Sequence, residues 1–288
     1  MDKNLCSNFI YVTTNLEYDS NNKNYKLKDD QHFKKYCDNE NCGSDLERVN
    51  AGCLYFFNEF FGSSELFKSV AKSNINIVDY IMLWLNYMLS LKENQAKNSL
   101  NYFYTTFINN ERYTNSINDV TEYNSYKDLI NKRHKLTNKD MDNNIISELY
   151  DAFKLLCEMY SAFDGITSNC TKCSEKADEF IKKYNKLNKD SNNIDGSSYR
   201  QILCTLSSDY DSLKNKCKDY KPLPEITENI SAQMSEVKSS SSLIGNKLFT
   251  VLLILGAIAF FLGISYKYSL FGFRKRAQKQ YLREKLKK

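Results

Sequence analysis

Apolar residues along the first two hundred or so positions of this chain recur every three to four residues, the spacing that gathers them on one face of a helix. Leu5, Phe9, Val12 and Leu16 predict a first helix. Ser44-Asp45-Leu46-Glu47 has the form of a capping box, in which a Ser side chain and a Glu three residues on satisfy the first free amides. The helix it opens carries Leu46, Val49, Cys53, Phe56, Phe57, Phe60 and Phe61, and Gly62 lets the chain leave. From Ile77 to Lys92 the pattern inverts: Asn76, Asp79, Asn86, Ser90 and Glu93 form one narrow polar stripe and the rest is apolar or aromatic. Such a helix belongs in the middle of a bundle, and its unbroken apolar part is too short to cross a membrane.

Further helices follow. In IISELYDAFKLLCEMYSAF the polar positions Ser147, Asp151, Lys154, Glu158 and Ser161 share one face. Ala177, Phe180, Ile181, Tyr184 and Leu187 mark another helix, and Tyr199, Ile202, Leu203, Leu206, Tyr210, Leu213 and Cys217 a last one, with Ser198 as its expected cap. No segment alternates convincingly with the period of a half-buried strand, and the Asn- and Lys-rich runs NKNYKLKDD and NKLNKDSNN read as loops. The fold expected is therefore all-α: a disulfide-containing helical bundle over residues 1–218.

Beyond Pro222 and Pro224 the polar, serine-rich residues 219–247 read as a stalk. Residues 248–266, LFTVLLILGAIAFFLGISY, hold no charge and no proline. At about 1.5 Å per residue they match the roughly 30 Å hydrocarbon core, and their apolar side chains favour insertion by on the order of 4–7 kcal/mol. A single transmembrane helix is expected here, and its small residues Gly256, Ala259 and Gly263 would let two such helices approach.

Charge gives that span an orientation. Residues 267–288 carry nine Lys or Arg against Glu284 alone, whereas residues 1–247 hold 31 basic and 34 acidic residues. The whole-chain +5 therefore belongs to the tail, where Arg274, Lys275, Arg276, Lys279, Arg283, Lys285, Lys287 and Lys288 are expected to lie on anionic lipid. Nucleic acid is not the expected partner. The positive-inside rule keeps this tail cytoplasmic and sends the domain across. The N-terminus, MDKNLCSNFIYVTTNLEYD, has no apolar core of a signal peptide, so a tail-anchored chain with a cytosolic domain is the competing topology.

All nine cysteines precede the span. A disulfide framework in an oxidising compartment is the expected use, its connectivity open. Cys37-x4-Cys42 with Cys170-x2-Cys173 could instead form a four-thiolate zinc site, and buried thiols are a third use. His32 and His134 each stand in a hydrophilic, Lys-rich stretch and read as solvated surface residues. No glycine-rich phosphate loop, His-Glu-x-x-His helix or Ser-centred elbow occurs, so no enzyme, no cofactor and no small-molecule substrate is expected. The 21 Tyr and 17 Phe fall largely on buried helix faces and read as core, with any exposed tyrosines as a contact surface for other proteins. Asn169-Cys-Thr and Asn229-Ile-Ser fit the glycosylation sequon, a pattern too short to carry weight.

Longer stretches resemble a known family. FKKYCDNENCGSDLERVNAGCLYFFNEFFGSS, NINIVDYIMLWLNYML, LYDAFKLLCEMY, CTKCSEKADEFIKKYNKLN, SSYRQILCTLSSDYDSLKNKC and the closing AIAFFLGISYKYSLFGFRKRAQKQYLREKLKK are similar to the Plasmodium interspersed repeat (PIR) proteins, in their rodent-malaria Cir/Bir/Yir branch. The resemblance implies a variant protein exported into the infected red cell and displayed on or near its surface, with antigenic variation, adhesion to host-cell proteins or receptors and immune evasion as roles. It also implies that Cys204, where relatives carry Ser, stays outside the bridges, leaving Cys6, Cys37, Cys42, Cys53, Cys157, Cys170, Cys173 and Cys217 as the candidate disulfide cysteines. An intracellular membrane scaffold with a cytosol-facing domain is the alternative function.

Overall fold

In the computed structural model the described residues are 1–28, 30–92, 99–134, 141–163, 165, 170–191, 193–217 and 223–226. The expected span 248–266, the tail 267–288 and the stalk apart from 223–226 lie outside them. Among the described residues no helix is long and apolar enough to cross a membrane. The chain divides into two compact units, Met1–Ser231 and Ala232–Lys288, and the described residues all belong to the first.

The described fold is mostly helical and is organised around the inverted helix. This helix, α5 (Ile77–Ser90), buries twelve of its fourteen residues, Trp84 among them. Around it pack α3 (Asp45–Phe61), α8 (Tyr126–Arg133), α9 (Asn143–Ala162) and α11 (Ser198–Lys216). The first helix, α1 (Lys3–Asn15), lies against α3 and α9, and α10 (Thr171–Asn188) covers α9 and α11. Apolar stripes predicted from spacing are the faces that meet. Phe9 of α1 stacks on Phe56 of α3 at 4.3 Å and meets Phe153 of α9 edge-on at 4.9 Å, while Phe56 meets Trp84 edge-on at 5.0 Å. Tyr80 stacks on Phe153 at 4.5 Å, which ties α5 to α9.

One glycine makes the closest approach possible. A Cβ on Gly52 of α3 would stand 2.7 Å from Trp84 Cη2 and 3.2 Å from Val12 Cγ1. Gly52 is thus the notch into which the indole of the central helix fits.

The capping box forms as expected: Ser44 Oγ accepts from the Glu47 N–H at 3.2 Å and Glu47 Oε2 from the Ser44 N–H at 2.9 Å. The helix does not leave through a left-handed glycine, because Gly62 keeps a helical φ of −69° and the chain instead turns extended at Ser63, the cap of the short helix α4 (Ser64–Ser69). The cap of α11 is Ser197, whose side chain accepts from the Arg200 N–H, and not Ser198.

A β-hairpin corrects the all-helical expectation. Strands β1 (Leu16–Asp19) and β2 (Asn24–Leu27) pair antiparallel with Tyr18 opposite Tyr25. Each is four residues long, which offers one or two alternations, too few to read as a period. The turn is built by Asp19 Oδ1 accepting from the Asn21 and Asn22 N–H groups and by Lys23 at φ 49°. Buried Leu16 and Tyr25 anchor the hairpin to the bundle. The short helices α2 (Asp30–Lys34), α6 (Leu100–Phe103) with a π-type turn at Tyr104–Ile108, and α7 (Glu111–Thr114) also lie in stretches whose spacing predicts nothing.

Core packing also runs past the expected domain boundary at residue 218. Leu223 and Ile226 are buried, Tyr210 OH donates to Pro224 O at 2.8 Å, and Lys214 pairs with Glu225. Part of the expected stalk is therefore a strap laid back on α11.

Candidate functional site

Three disulfides cross-link the helices. Cys6–Cys157 joins α1 to α9 with Cα atoms 5.2 Å apart. Cys37–Cys42 closes the 3-10 turn Asp38–Glu40, and Cys170–Cys217 joins the N-terminal cap of α10 to the C-terminal cap of α11, with Cα separations of 5.0 and 5.6 Å. Cys53 and Cys173, expected in bridges, are thiols instead. Cys53 points into the core from α3, where burial pushes its thiol up to about 12 while Tyr113 pulls it down. Cys173 donates from the buried side of α10 to Met159 O at 3.3 Å. With Cys37 bonded to Cys42 and Cys170 to Cys217, the four sulfurs of the alternative zinc site are not gathered on one point. Cys204 keeps its thiol, half-buried on α11.

Buried polar groups cluster where α5 meets α8 and α11. The guanidinium of Arg133 forks onto Asp79, Nη2 to Oδ2 at 2.6 Å and Nε to Oδ1 at 3.2 Å, and Thr205 Oγ1 adds a donor to Oδ2 at 2.6 Å. Burial pushes the Asp79 carboxyl up, and Arg133 and Thr205 pull it back down. Nearby, Asp209 Oδ1 accepts from the Met1 ammonium at 2.6 Å and Oδ2 from Tyr80 OH at 2.7 Å, while its carbonyl accepts from Tyr160 OH at 2.8 Å. Both oxygens of each carboxylate accept from other elements, an arrangement that fixes helix register. Desolvation and the Asp209 carboxylate push the Tyr80 hydroxyl well above its ordinary value.

His134 corrects a reading from sequence. It is 7 % exposed at the end of α8, and burial pushes its imidazole down to about 4, so it is neutral near pH 7. A Lys-rich neighbourhood in sequence does not report the side-chain environment, which here is set by packing. His32 is exposed and meets the Tyr11 ring edge-on at 6.1 Å.

An apolar groove of about 210 Å³ lies between α1 and α9, lined by Phe9, Thr13, Tyr150, Phe153 and Lys154. Ile10 stands at its edge, 51 % exposed. Its sequence signal was an apolar residue lying off the stripe of α1. The described tyrosines are all buried or half-buried, which makes them core and not a tyrosine-rich contact surface. A second hollow of about 220 Å³ has a mixed lining, with Asp38, Glu47, Asn110 and Arg112 beside Phe107 and Tyr113. Among the described residues no group of His, Cys, Asp and Glu could hold a metal ion. The basic-tail residues Arg274 to Lys288 and both sequons' asparagines fall outside the described residues.

Three disulfides around a core with buried, hydrogen-bonded carboxylates define a stapled helical domain. The chain belongs to the family described as Plasmodium variant antigen protein Cir/Yir/Bir, which it matches over residues 6–267. Among solved structures it is similar to a Plasmodium PIR protein ectodomain, with 27% identity and a TM-score of 0.56, covering 77% of this chain and 96% of that chain. No curated protein matches it.

Proposed function

We propose that this chain is a membrane-anchored variant surface protein of malaria-infected cells, whose helical domain is displayed for antigenic variation, adhesion to host-cell proteins or immune evasion, and that it is not an enzyme. Family membership carries the reading. The three disulfides support it, since cross-links of this kind persist outside the reducing cytosol. Residues 248–266 serve as the anchor and the basic tail, Arg274 to Lys288, binds anionic lipid on the cytoplasmic side. The rival, an intracellular scaffold with its domain in the cytosol, requires reduced cysteines, against which the bridges weigh. Protease added to intact infected cells is the test: digestion of the N-terminal domain with the tail left intact is expected, and a domain protected in every compartment overturns surface display.

A further inference from the structure

Cys170, Cys173 and Cys217 meet at one end of the α10–α11 pair. Cys170 is the N-terminal cap of α10, and the N–H of Cys173, three residues on, donates to Cys170 O at 2.8 Å. Cys170 makes no side-chain cap hydrogen bond, and what brings the two positions together is their three-residue spacing at the start of the helix. Here both positions carry sulfur. The Cys170 sulfur is bonded to Cys217, while Cys173 keeps a thiol directed at Met159 O, 3.3 Å away. The three residues are 1 %, 0 % and 4 % exposed respectively, so the wall that closes them off from dissolved thiols leaves an internal thiol within a helical turn of the bridge.

We propose that this is a thiol–disulfide exchange site, in which Cys173 displaces Cys217 from Cys170 and the chain switches between a Cys170–Cys217 and a Cys170–Cys173 bridge. The step is redox-neutral. Cys173 gives its proton to a solvent base, its sulfur bonds to the Cys170 sulfur, the Cys170–Cys217 bond breaks with its electron pair leaving on Cys217, and that thiolate takes a proton from water. Burial holds the Cys173 thiol above its ordinary pKa, so the attacking thiolate forms when the α9–α10 contact opens locally. The two connectivities differ in what they restrain. The first fixes the end of α11, and the strap Leu223–Ile226 lying on it, to the start of α10. The second closes a small loop within α10 and releases the end of α11.

The test uses the full chain. In Cys217→Ser, alkylation of the denatured oxidised protein followed by peptide mapping is expected to find a Cys170–Cys173 bridge and label only on Cys53 and Cys204. Label on both Cys170 and Cys173 overturns the proposal. A second arm keeps it falsifiable if that variant fails to fold: the native sequence is held folded with an alkylating agent and no added thiol, and label is expected to accumulate on Cys217. Cys173→Ser is expected to slow that labelling about tenfold or more, since the internal nucleophile is gone. No label on Cys217, or equal rates in the two proteins, overturns the exchange.

Discussion

Gly52 and Trp84 show how finely the centre of the bundle is fitted. With the Cβ position of residue 52 only 2.7 Å from Trp84 Cη2, Gly52→Ala must push the indole or part α3 from α5. A loss of about 1–3 kcal/mol is expected, read as a lower midpoint in urea. His134 supplies a pH dependence. Its folded pKa, about 4, lies below the ordinary 6.5, so the unfolded chain takes up the proton first and stability is lost as pH falls from about 6.5 towards 4. The full loss is about 3 kcal/mol, on the order of 1.4 kcal/mol for each pH unit that separates the two values. Glu148, held low by Lys183 and Lys186, titrates below its ordinary 4.5, whereas burial raises the Asp79 carboxyl, so the histidine's share is read as the difference between the native and His134→Leu profiles of urea midpoint between pH 6.5 and 5. In that window the native protein should lose stability more steeply than His134→Leu as pH falls; an unchanged slope would place the titration elsewhere.

Among the elements, those with two or more turns of apolar stripe were legible in the sequence because the stripe is the packing surface: α3, α5, α9, α10 and α11 bury most of the residues their spacing selects, with Leu46 and Ile181 only half-buried at the edge. Residues 99–134 were not legible, for a physical reason. That stretch is held by scattered anchors, Tyr113 OH donating to Asn50 Oδ1 at 2.8 Å and Tyr123 OH to Phe61 O at 2.9 Å beside buried Phe103, Ile108, Leu129 and Ile130, and irregularly spaced anchors leave no period. The same limit hid the cysteine pairing, since Cys6 and Cys157 are 151 residues apart and meet only because α1 lies on α9. Cys53, expected in a bridge, is instead a buried thiol on the α3 stripe. Because a long loop restrains the unfolded chain more than a short one, removing Cys6–Cys157 as the double alanine variant should cost about 4–5 kcal/mol and removing Cys37–Cys42 about 2 kcal/mol. Thermal melts of the two variants should therefore separate by several degrees, with the Cys6/Cys157 variant lower.

For the whole molecule, the boundary of the folded unit is the point that composition misplaced. Two prolines and a following serine-rich run signal a linker, yet Leu223 and Ile226 are 2 % and 7 % exposed. Truncation after residue 218 is expected to be less stable than truncation after residue 226 by about 3–5 kcal/mol, the worth of two buried aliphatic side chains and one hydrogen bond. Leu223→Ala alone should lose about 2–3 kcal/mol. Equal urea midpoints for the two truncations would show the strap to be ornamental.

That strap also decides how the domain answers a pull. Tension on the chain beyond Ile226 acts first on Ile226, Glu225, Pro224 and Leu223, whose contacts with α11 peel one after another and at low force. At Cys217 the peeling stops, because the bridge to Cys170 passes the load sideways into the start of α10, whose long face against α9 must then be sheared as a unit. A covalent stop behind a soft leader gives a tether that stretches before it transmits. In the isomer with Cys170 bonded to Cys173 the stop is gone, and the same pull unwinds α11 from its end.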